Sequence, residues 1–234
     1  FNYALEGLLR PVSDLPELDL TKPYWDKELT DAMSIGNVPF FAVGAFNTSG
    51  YEYTHLLAFN KELAANNDFD IYGAVKNGSW TFSTMREMMK AVVSDINGDG
   101  TMDREDRYGL LSAAKQILPC FWISAGQESM KMDTNDYPVF SLLSDENFQS
   151  VFVEIFDLVY ENNAWHHYTD EENVHPDEVN MFINGQGLFI DMPVFYLADL
   201  RSMDTDFGLV PYPKYDEAQT EYYSRIEGCE QTCI

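Results

Sequence analysis

Short apolar runs alternate along this chain with longer segments whose apolar residues recur at helical spacing. Four runs have the length and composition of strands, and they read NVPFFAVG, THLLAFN, GLFID and DFGLVPYP. The strongest helical segment is 144–163, which takes Ser144 as its N-cap and has an acidic first turn. Its apolar stripe consists of Phe148, Val151, Phe152, Ile155 and Val159. Strands that alternate with helices predict a layered α/β domain.

Two further segments have clear helix boundaries. The segment 81–95 begins with Thr81 or Ser83 as its N-cap, and its apolar face consists of Met85, Met89 and Val92. The segment 175–187 has Pro176 in its first turn and ends at Gly185. Its predicted buried residues are Val179, Phe182 and Ile183.

The chain has 234 residues, of which 45% are hydrophobic, so it is long enough to bury a sizeable core. Its formal net charge of −25 would repel a phosphate backbone or an anionic lipid surface, which argues against nucleic acid as a partner. The longest apolar run, VPFFAVGAF, is far shorter than the roughly 20 residues that a membrane-spanning helix needs.

The three cysteines do not form a disulfide framework. Cys229 and Cys233 could form a bridge with each other, but the odd count argues against folding that depends on disulfides. Cys120, in ILPCFW, is most simply a small core residue. His166 and His167 are adjacent and so point in different directions, which favours an exposed loop over a metal site.

The segment 95–106, DINGDGTMDRED, carries oxygen donors at the spacing of a calcium loop. Gly100 stands where such a loop turns sharply, and Thr101 would offer its backbone carbonyl. The predicted Ca²⁺ ligands are Asp95, Asn97, Asp99, Thr101, Asp103 and Asp106. Without a cation, the neighbouring carboxylates would repel one another. The alternative is an acidic, glycine-rich turn that holds only water.

A calcium ion in this loop would be structural rather than regulatory. The loop is followed by RYGLL and not by a long amphipathic helix, so it does not resemble half of a sensor pair. A dockerin-like interaction module uses the same loop, but in two short copies, and this chain has one. We therefore expect the ion to brace the connection between a helix and the next strand.

The order of motifs along the chain resembles the extracellular solute-binding proteins, family 1, of ABC importers. The motifs are LLAFNKEL, NGSWTF, NGDGTMDREDRYGL, VNMFINGQGLFIDMPVFYLADL and DFGLVPYPKYDEAQ, and together they cover roughly 33–228. The resemblance is greatest to the lipoprotein-type sugar binders of Gram-positive bacteria. It implies a periplasmic-binding-protein-like fold of class II, with mainly the second lobe of a two-lobed protein present.

The resemblance also implies a division of the chain and a setting for it. Residues 1–33 would be a remnant of the first lobe, 34–228 the second lobe with the calcium loop, and 229–234 the start of the crossover back. The protein would be a monomer that delivers a saccharide to the permease subunits of an ABC importer. It would be extracellular or periplasmic, held at the membrane only through a lipid anchor outside this chain.

Aromatic side chains near the implied cleft are the candidate sugar contacts, because flat rings pack on the apolar face of a pyranose. By the resemblance, Asp191, Phe195 and Tyr196 follow the strand that lines the cleft, although Val194 stands where the family has Trp. The remaining candidates are Tyr51, Tyr53 and Trp122. Core packing for Trp122, Phe195 and Tyr196, and plain exposure for the two loop tyrosines, are the alternatives.

An enzyme is the principal rival reading. Acid pairs such as Asp191 with Asp199, or Glu154 with Asp157, could suggest a glycosidase. However, the chain has no nucleophile elbow, phosphate loop or zinc-helix motif, so we expect no catalytic activity. A solute binder of peptide type also remains open.

Overall fold

The computed structural model describes residues 2–112, 114–161, 164–165, 175–226 and 232–233. Its α-helices are α1 (Asn2–Leu5), α2 (Lys27–Ala32), α3 (Ser49–Glu52), α4 (Lys61–Asn66), α5 (Ile71–Asn77), α6 (Phe82–Val92), α7 (Ala114–Ser124), α8 (Glu146–Tyr160) and α9 (His175–Ile183). Three 3-10 helices cover Val12–Asp14, Leu142–Ser144 and Val194–Ser202. None of the helices in these ranges has the length and apolar character needed to cross a membrane.

The strands are β1 (Phe41–Ala42), β2 (His55–Asn60), β3 (Tyr108–Leu111), β4 (Met130–Met132), β5 (Pro138–Phe140), β6 (Ala164–Trp165), β7 (Gly187–Pro193), β8 (Phe207–Val210) and β9 (Thr232–Cys233). Five of them form one mixed sheet in the order β6–β3–β7–β2–β8. β3 is parallel to β6 and β7, whereas β2 is antiparallel to β7 and β8.

The chain divides into two compact units. The first unit comprises 1–53, 128–144 and 226–234, and the second comprises 54–127 and 145–225. Along the sequence, the chain therefore passes from one unit to the other after residues 53, 127, 144 and 225. The expected division at 33/34 and 228/229 refers to lobes of a larger protein, and that assignment stays a prediction.

The mixed sheet is the centre of the second unit, and helices cover both of its faces. α5, α6, α7 and α8 pack on one face, where Leu57, Phe59 and Leu110 of the sheet join the larger core cluster. α9 and the 3-10 helix Val194–Ser202 pack on the other face, against Ala58 and Ile190. Because neighbouring residues of a strand point to opposite faces, both faces of this apolar sheet are buried.

The first unit contains two small antiparallel pairs. β1 pairs with β9, and β4 pairs with β5 through a tight turn in which Asp136 has a positive φ of 59°. The Asn37 side-chain amide donates a hydrogen bond to the Asp136 carboxylate at 2.6 Å, so this turn is fastened to the segment before β1.

The helix predicted over 81–95 is confirmed as α6. Its N-cap is Thr81, one of the two residues that the sequence suggested, and the Thr81 side chain accepts a hydrogen bond from the Thr84 backbone N–H. Met85, Met89 and Val92 are buried together with Phe82. α6 ends at Val92 because the chain then turns toward the acidic loop, where Ser94 forms a bridge with Arg107.

Two details of the helix predicted over 144–163 are wrong. Its N-cap is Asp145 rather than Ser144, because the Asp145 carboxylate accepts from the backbone N–H of Asn147. Phe152 is 37% exposed, and Leu158 is the fully buried residue that extends the stripe instead. The run NVPFFAVG forms only the two-residue strand β1, whereas THLLAFN, GLFID and DFGLVPYP contain β2, β7 and β8.

Candidate functional site

The carboxyl ends of the parallel strands β3 and β7 lie at the same edge of the second unit's sheet. β3 ends at Leu111 and β7 ends at Pro193, which is paired with His55 at the start of β2. In open α/β sheets, ligands bind outside the carboxyl ends of the strands. The candidate site therefore consists of the side chains at this edge.

Asp191 lies near the end of β7 as a buried member of a polar network. Its carboxylate is 3.0 Å from His55 Nδ1 and accepts a hydrogen bond from the Tyr212 hydroxyl. The Cys120 thiol lies beside this pair and donates to the backbone carbonyl of Gln116 at 3.3 Å. An ionised carboxylate inside a core requires such partners, because an unpaired buried charge is strongly unfavourable.

The electrostatics of this network follow from its burial. Burial is the largest single influence and lowers the pKa of His55, but hydrogen bonds to Asp191 and Cys120, together with the charges of those two groups, outweigh it and raise the pKa to about 11. Burial, followed by the charge of Asp191, raises the pKa of the Cys120 thiol. The same two causes raise the pKa of Tyr212, so its hydroxyl remains a hydrogen-bond donor.

Phe195 and Tyr196 follow directly after β7, at the start of the 3-10 helix. Their ring centroids are 4.0 Å apart with planes inclined at 39°. Phe195 is 40% exposed, whereas Tyr196 is half-buried against the core below α9. The pair therefore presents an aromatic surface four and five residues beyond the buried carboxylate of Asp191.

The other candidate contacts have different settings. Trp122 is half-buried in α7 and packs edge-to-face on Phe148, with 6.2 Å between ring centroids. Its indole N–H is buried without a hydrogen-bond partner. Tyr51 and Tyr53 belong to the first unit, where Tyr51 is exposed on α3 and Tyr53 is the half-buried C-cap of that helix.

An open groove of about 480 Å³ lies at the opposite, amino edge of the same sheet. Asn60, Asn67, Arg107 and Asn184 are among its mainly polar lining residues. Asn60 is the last residue of β2, and the others follow β2 or precede β3 and β7, so the groove is separated from the aromatic pair by the length of the strands.

The acidic loop connects α6 to β3, as the sequence predicted. The Asp95 carboxylate accepts from the backbone N–H groups of Gly98 and Gly100, at 2.6 and 2.9 Å. Both glycines have positive φ, 73° and 82°, which lets the chain turn tightly around the carboxylate of Asp95. Asp99 accepts in the same way from the Thr101 N–H at 2.7 Å.

Asp106 closes the loop from its far end. One carboxylate oxygen accepts from the Ile96 N–H and the other from the Asp103 N–H, both at 2.8 Å. The hydrogen bond from the Asp103 backbone is the main reason that the pKa of Asp106 lies below its usual value. The residue is buried, so the two ends of the loop are held together beneath its surface.

The donor set of the loop suits a hard cation, because it consists of carboxylate, amide and carbonyl oxygens around one tight turn. The carboxylates are not drawn together, however. In the described parts of the chain, His55, Cys120 and Asp191 are the three side chains whose ligand atoms all lie within 4.8 Å of one another. None of these three residues belongs to the loop. Coordination of calcium by the predicted ligands stays a prediction.

Two predictions about sequence features fall outside the described residues. The adjacent His166 and His167 lie there, as does Cys229, so a bridge between Cys229 and Cys233 is untested. Cys120 is a buried free cysteine, which confirms its prediction as a core residue.

Sequence reasoning missed the partners of Asp191. A carboxylate in the middle of the apolar run GLFIDMP is itself a signal, because it needs a buried donor. That signal does not identify His55 or Tyr212, which are distant in sequence. The buried Glu178 on α9 was also missed; one of its carboxylate oxygens has no hydrogen-bond partner.

No protein-family model and no curated protein sequence matches the chain. Its fold is similar to solved structures of binding proteins. The GacH receptor of Streptomyces glaucescens, solved in unliganded form and with acarbose and an acarbose homolog, matches 91% of this chain and 49% of its own, with a TM-score of 0.58 and 15% identity. The MalE maltose/maltodextrin-binding domain of Bdellovibrio bacteriovorus, bound to maltotriose, matches 91% and 48%, with a TM-score of 0.55 and 16% identity.

UgpB of Mycobacterium tuberculosis, in complex with glycerophosphocholine, matches 91% of this chain and 48% of its own, with a TM-score of 0.56 and 18% identity. The chain thus spans about half the length of the solved structures that it matches. These similarities confirm the predicted α/β, periplasmic-binding-protein-like fold.

Proposed function

We propose that the chain is part of an extracellular or periplasmic solute-binding protein that captures a saccharide for an ABC importer. The observation that carries this proposal is the match of its fold, over about nine-tenths of the chain, to the GacH receptor and the MalE binding domain, both solved with glycans. Membership of solute-binding family 1, the importer and a lipid anchor outside this chain are parts of the same proposal. Its role is binding without catalysis.

The ligand surface would be built on the aromatic pair after β7. Phe195 is exposed and Tyr196 has a hydroxyl, so together they offer an apolar face and a hydrogen-bonding group to a sugar ring. Trp122, Tyr51 and Tyr53 are the further candidate contacts. An aromatic surface of this kind favours a neutral glycan over an anionic solute, as does the net charge of −25.

Asp191 has a supporting role in this arrangement. Its Oδ1 atom is engaged by both His55 and Tyr212, and the residue is buried, so little of its carboxylate is accessible to a sugar hydroxyl. The network instead holds the end of β7, and with it the start of the segment that carries Phe195 and Tyr196. Direct contact between Asp191 and the ligand stays a prediction.

Capture would follow the closure of two lobes around the ligand. A ligand shifts such an equilibrium only by the contacts that are available in the closed state alone. One lobe would therefore contribute a weak half-site, and full affinity would require the whole protein. Calcium in the loop 95–106 would brace the second unit at a distance from the ligand.

The test is calorimetric titration of the full-length protein, with both lobes present, against maltooligosaccharides, other neutral glycans, glycerophosphocholine and short peptides. We expect heat from at least one glycan and a loss of affinity of tenfold or more in Phe195→Ala, about 1.4 kcal/mol. Phe140→Ala is the control, because Phe140 is an exposed phenylalanine of the first unit, outside the aromatic pair.

Each alternative has its own outcome in this titration. Heat from peptides and from no glycan would identify the peptide-type binder and contradict the saccharide proposal. Heat from glycerophosphocholine alone would indicate that the ligand is a polar phosphodiester rather than a glycan. Equal losses in Phe195→Ala and Phe140→Ala would remove the aromatic pair from the site.

A further inference from the structure

Three side chains of metal-binding types meet inside the second unit. His55 comes from β2, Cys120 from α7 and Asp191 from β7, and one ligand atom of each lies within 4.8 Å of the other two. We propose that these three residues bind a divalent transition-metal ion, of which Zn²⁺ is the first candidate. The proposal concerns the interior of the unit and is independent of the solute.

The ligand types select the kind of ion. A thiolate disfavours the hard cations Ca²⁺ and Mg²⁺, which prefer oxygen. Imidazole nitrogen, thiolate sulfur and carboxylate oxygen are the three ligand types found at protein zinc sites. Asp191 can bind through one or both oxygens, so the three residues together can complete four coordination positions.

The distance between the His55 and Asp191 ligand atoms fits this coordination. His55 Nδ1 and Asp191 Oδ1 are 3.0 Å apart. Two such ligands at about 2.0–2.1 Å from a tetrahedral Zn²⁺ ion would lie about 3.3 Å from each other. The ion would replace the proton that joins these two atoms, with a small outward movement of each side chain.

The surroundings provide the remaining requirements of a buried site. A Zn²⁺ ion with one thiolate, one carboxylate and one neutral imidazole has no net charge, so the core would hold no uncompensated charge. The Tyr212 hydroxyl donates to Asp191 and would orient that carboxylate from the outer shell. This arrangement resembles the hydrogen-bonded support that metal-binding carboxylates usually have.

A nucleophilic triad is the other chemistry that cysteine, histidine and aspartate can perform together. Burial argues against it, because Cys120, His55 and Asp191 are 0%, 1% and 6% exposed. A nucleophile must reach its substrate, whereas a structural ion can be enclosed as the chain folds. The bound metal would then link β2, α7 and β7 and contribute to the stability of the folded unit.

The experiment uses the chain refolded with equimolar Zn²⁺ or Co²⁺ in buffer containing excess Ca²⁺, which would compete for any hard-cation site in the acidic loop. After desalting, we expect about one Zn²⁺ per chain by mass spectrometry of the metal. The Co²⁺ form should show the near-ultraviolet charge-transfer absorption of a cobalt–thiolate bond.

Two variants locate the ion. Cys120→Ser should lose the cobalt–thiolate absorption, and His55→Gln should retain less than about a tenth of the metal. The variant in which Cys229 and Cys233 are both replaced by serine should keep the absorption, because Cys120 remains. Circular dichroism of each variant verifies that it has folded.

The wild-type measurement is decisive even if a variant fails to fold. A folded wild-type chain with less than about a tenth of a metal ion, and with no cobalt–thiolate absorption, would mean that the three residues form a hydrogen-bonded core network only. Absorption that persists in Cys120→Ser but disappears in the double serine variant would place the metal elsewhere. Neither result would affect the calorimetric test of solute binding.

Discussion

At the scale of single residues, Glu178 is a buried acid whose charge is poorly compensated. It is 2% exposed on α9, and one carboxylate oxygen lacks a hydrogen-bond partner. Burial, followed by the charges of Asp191 and Asp177, raises its pKa to about 8. The folded state therefore holds the Glu178 proton more tightly than the unfolded state does.

This raised pKa predicts a dependence of stability on pH. The contribution of the protonated Glu178 is fully present below the unfolded pKa of 4.5 and is lost as the pH rises through about 8. The free energy of unfolding from urea titrations should fall by on the order of 1–4 kcal/mol across this window.

Glu178→Gln should remove most of this fall, because glutamine has no proton to lose. At pH 8 the variant should be more stable than the wild type, whereas at pH 5 the two should be similar. Glu217→Gln, at an exposed position, is the matched control and should keep the wild-type profile. Parallel profiles for the wild type and Glu178→Gln would assign the pH dependence to other groups.

At the scale of elements, the loop 95–106 joins α6 to β3 and is the predicted calcium site. Binding to the folded state alone would stabilise the chain by about 2.7 kcal/mol when Ca²⁺ is at 100 times its dissociation constant. We expect millimolar Ca²⁺ to raise the melting temperature of the wild type and to leave that of Asp99→Ala unchanged. Differential scanning fluorimetry measures both.

The control for this experiment is Asp14→Ala, which removes an exposed carboxylate outside the loop. It should respond to Ca²⁺ as the wild type does. An equal response in Asp99→Ala would show that calcium stabilises the chain from another place, and the loop would then be an acidic turn supported by its own backbone hydrogen bonds.

Elements with local signals were predictable from the sequence. Thr81 followed by apolar residues at helical spacing identified α6, and the apolar runs identified β2, β7 and β8. The capping of α8 by Asp145 rather than Ser144 is a choice between two good capping residues that sequence alone does not decide. Phe152 was expected in the core, but α8 turns that residue partly to solvent and uses Leu158 instead.

The polar network was not predictable, because its members are brought together only by the sheet. His55 faces Asp191 because β2 and β7 are antiparallel neighbours, with Leu57 paired to Asp191 and His55 to Pro193. Cys120 joins them from a helix on one face. No local pattern in the sequence predicts that these three residues lie together. The acid inside an apolar strand indicates only that it needs a buried hydrogen-bond partner.

At the scale of the whole molecule, the net charge of −25 opposes compaction. Like charges on a folded surface repel one another, and dissolved salt screens that repulsion over about 10 Å at 0.1 M. The melting temperature should therefore rise as sodium chloride is increased from 10 to about 300 mM at pH 7. The effect should shrink near the sequence isoelectric point of about 4.2, where the net charge approaches zero. A salt response of the same size at both pH values would show that screening of repulsion is not its cause.

The position of β2 in the sheet has a consequence for biosynthesis. Both neighbours of this strand are made much later, since Phe59 pairs with Phe189 and Asn60 with Phe207. As the chain leaves the ribosome, HLLAFN therefore emerges some 130 residues before either neighbour exists. Contacts between such distant segments form slowly, and an unpaired apolar strand adheres readily to other chains. We therefore expect the nascent chain to aggregate more readily than the complete chain until its last sheet strand has been synthesised.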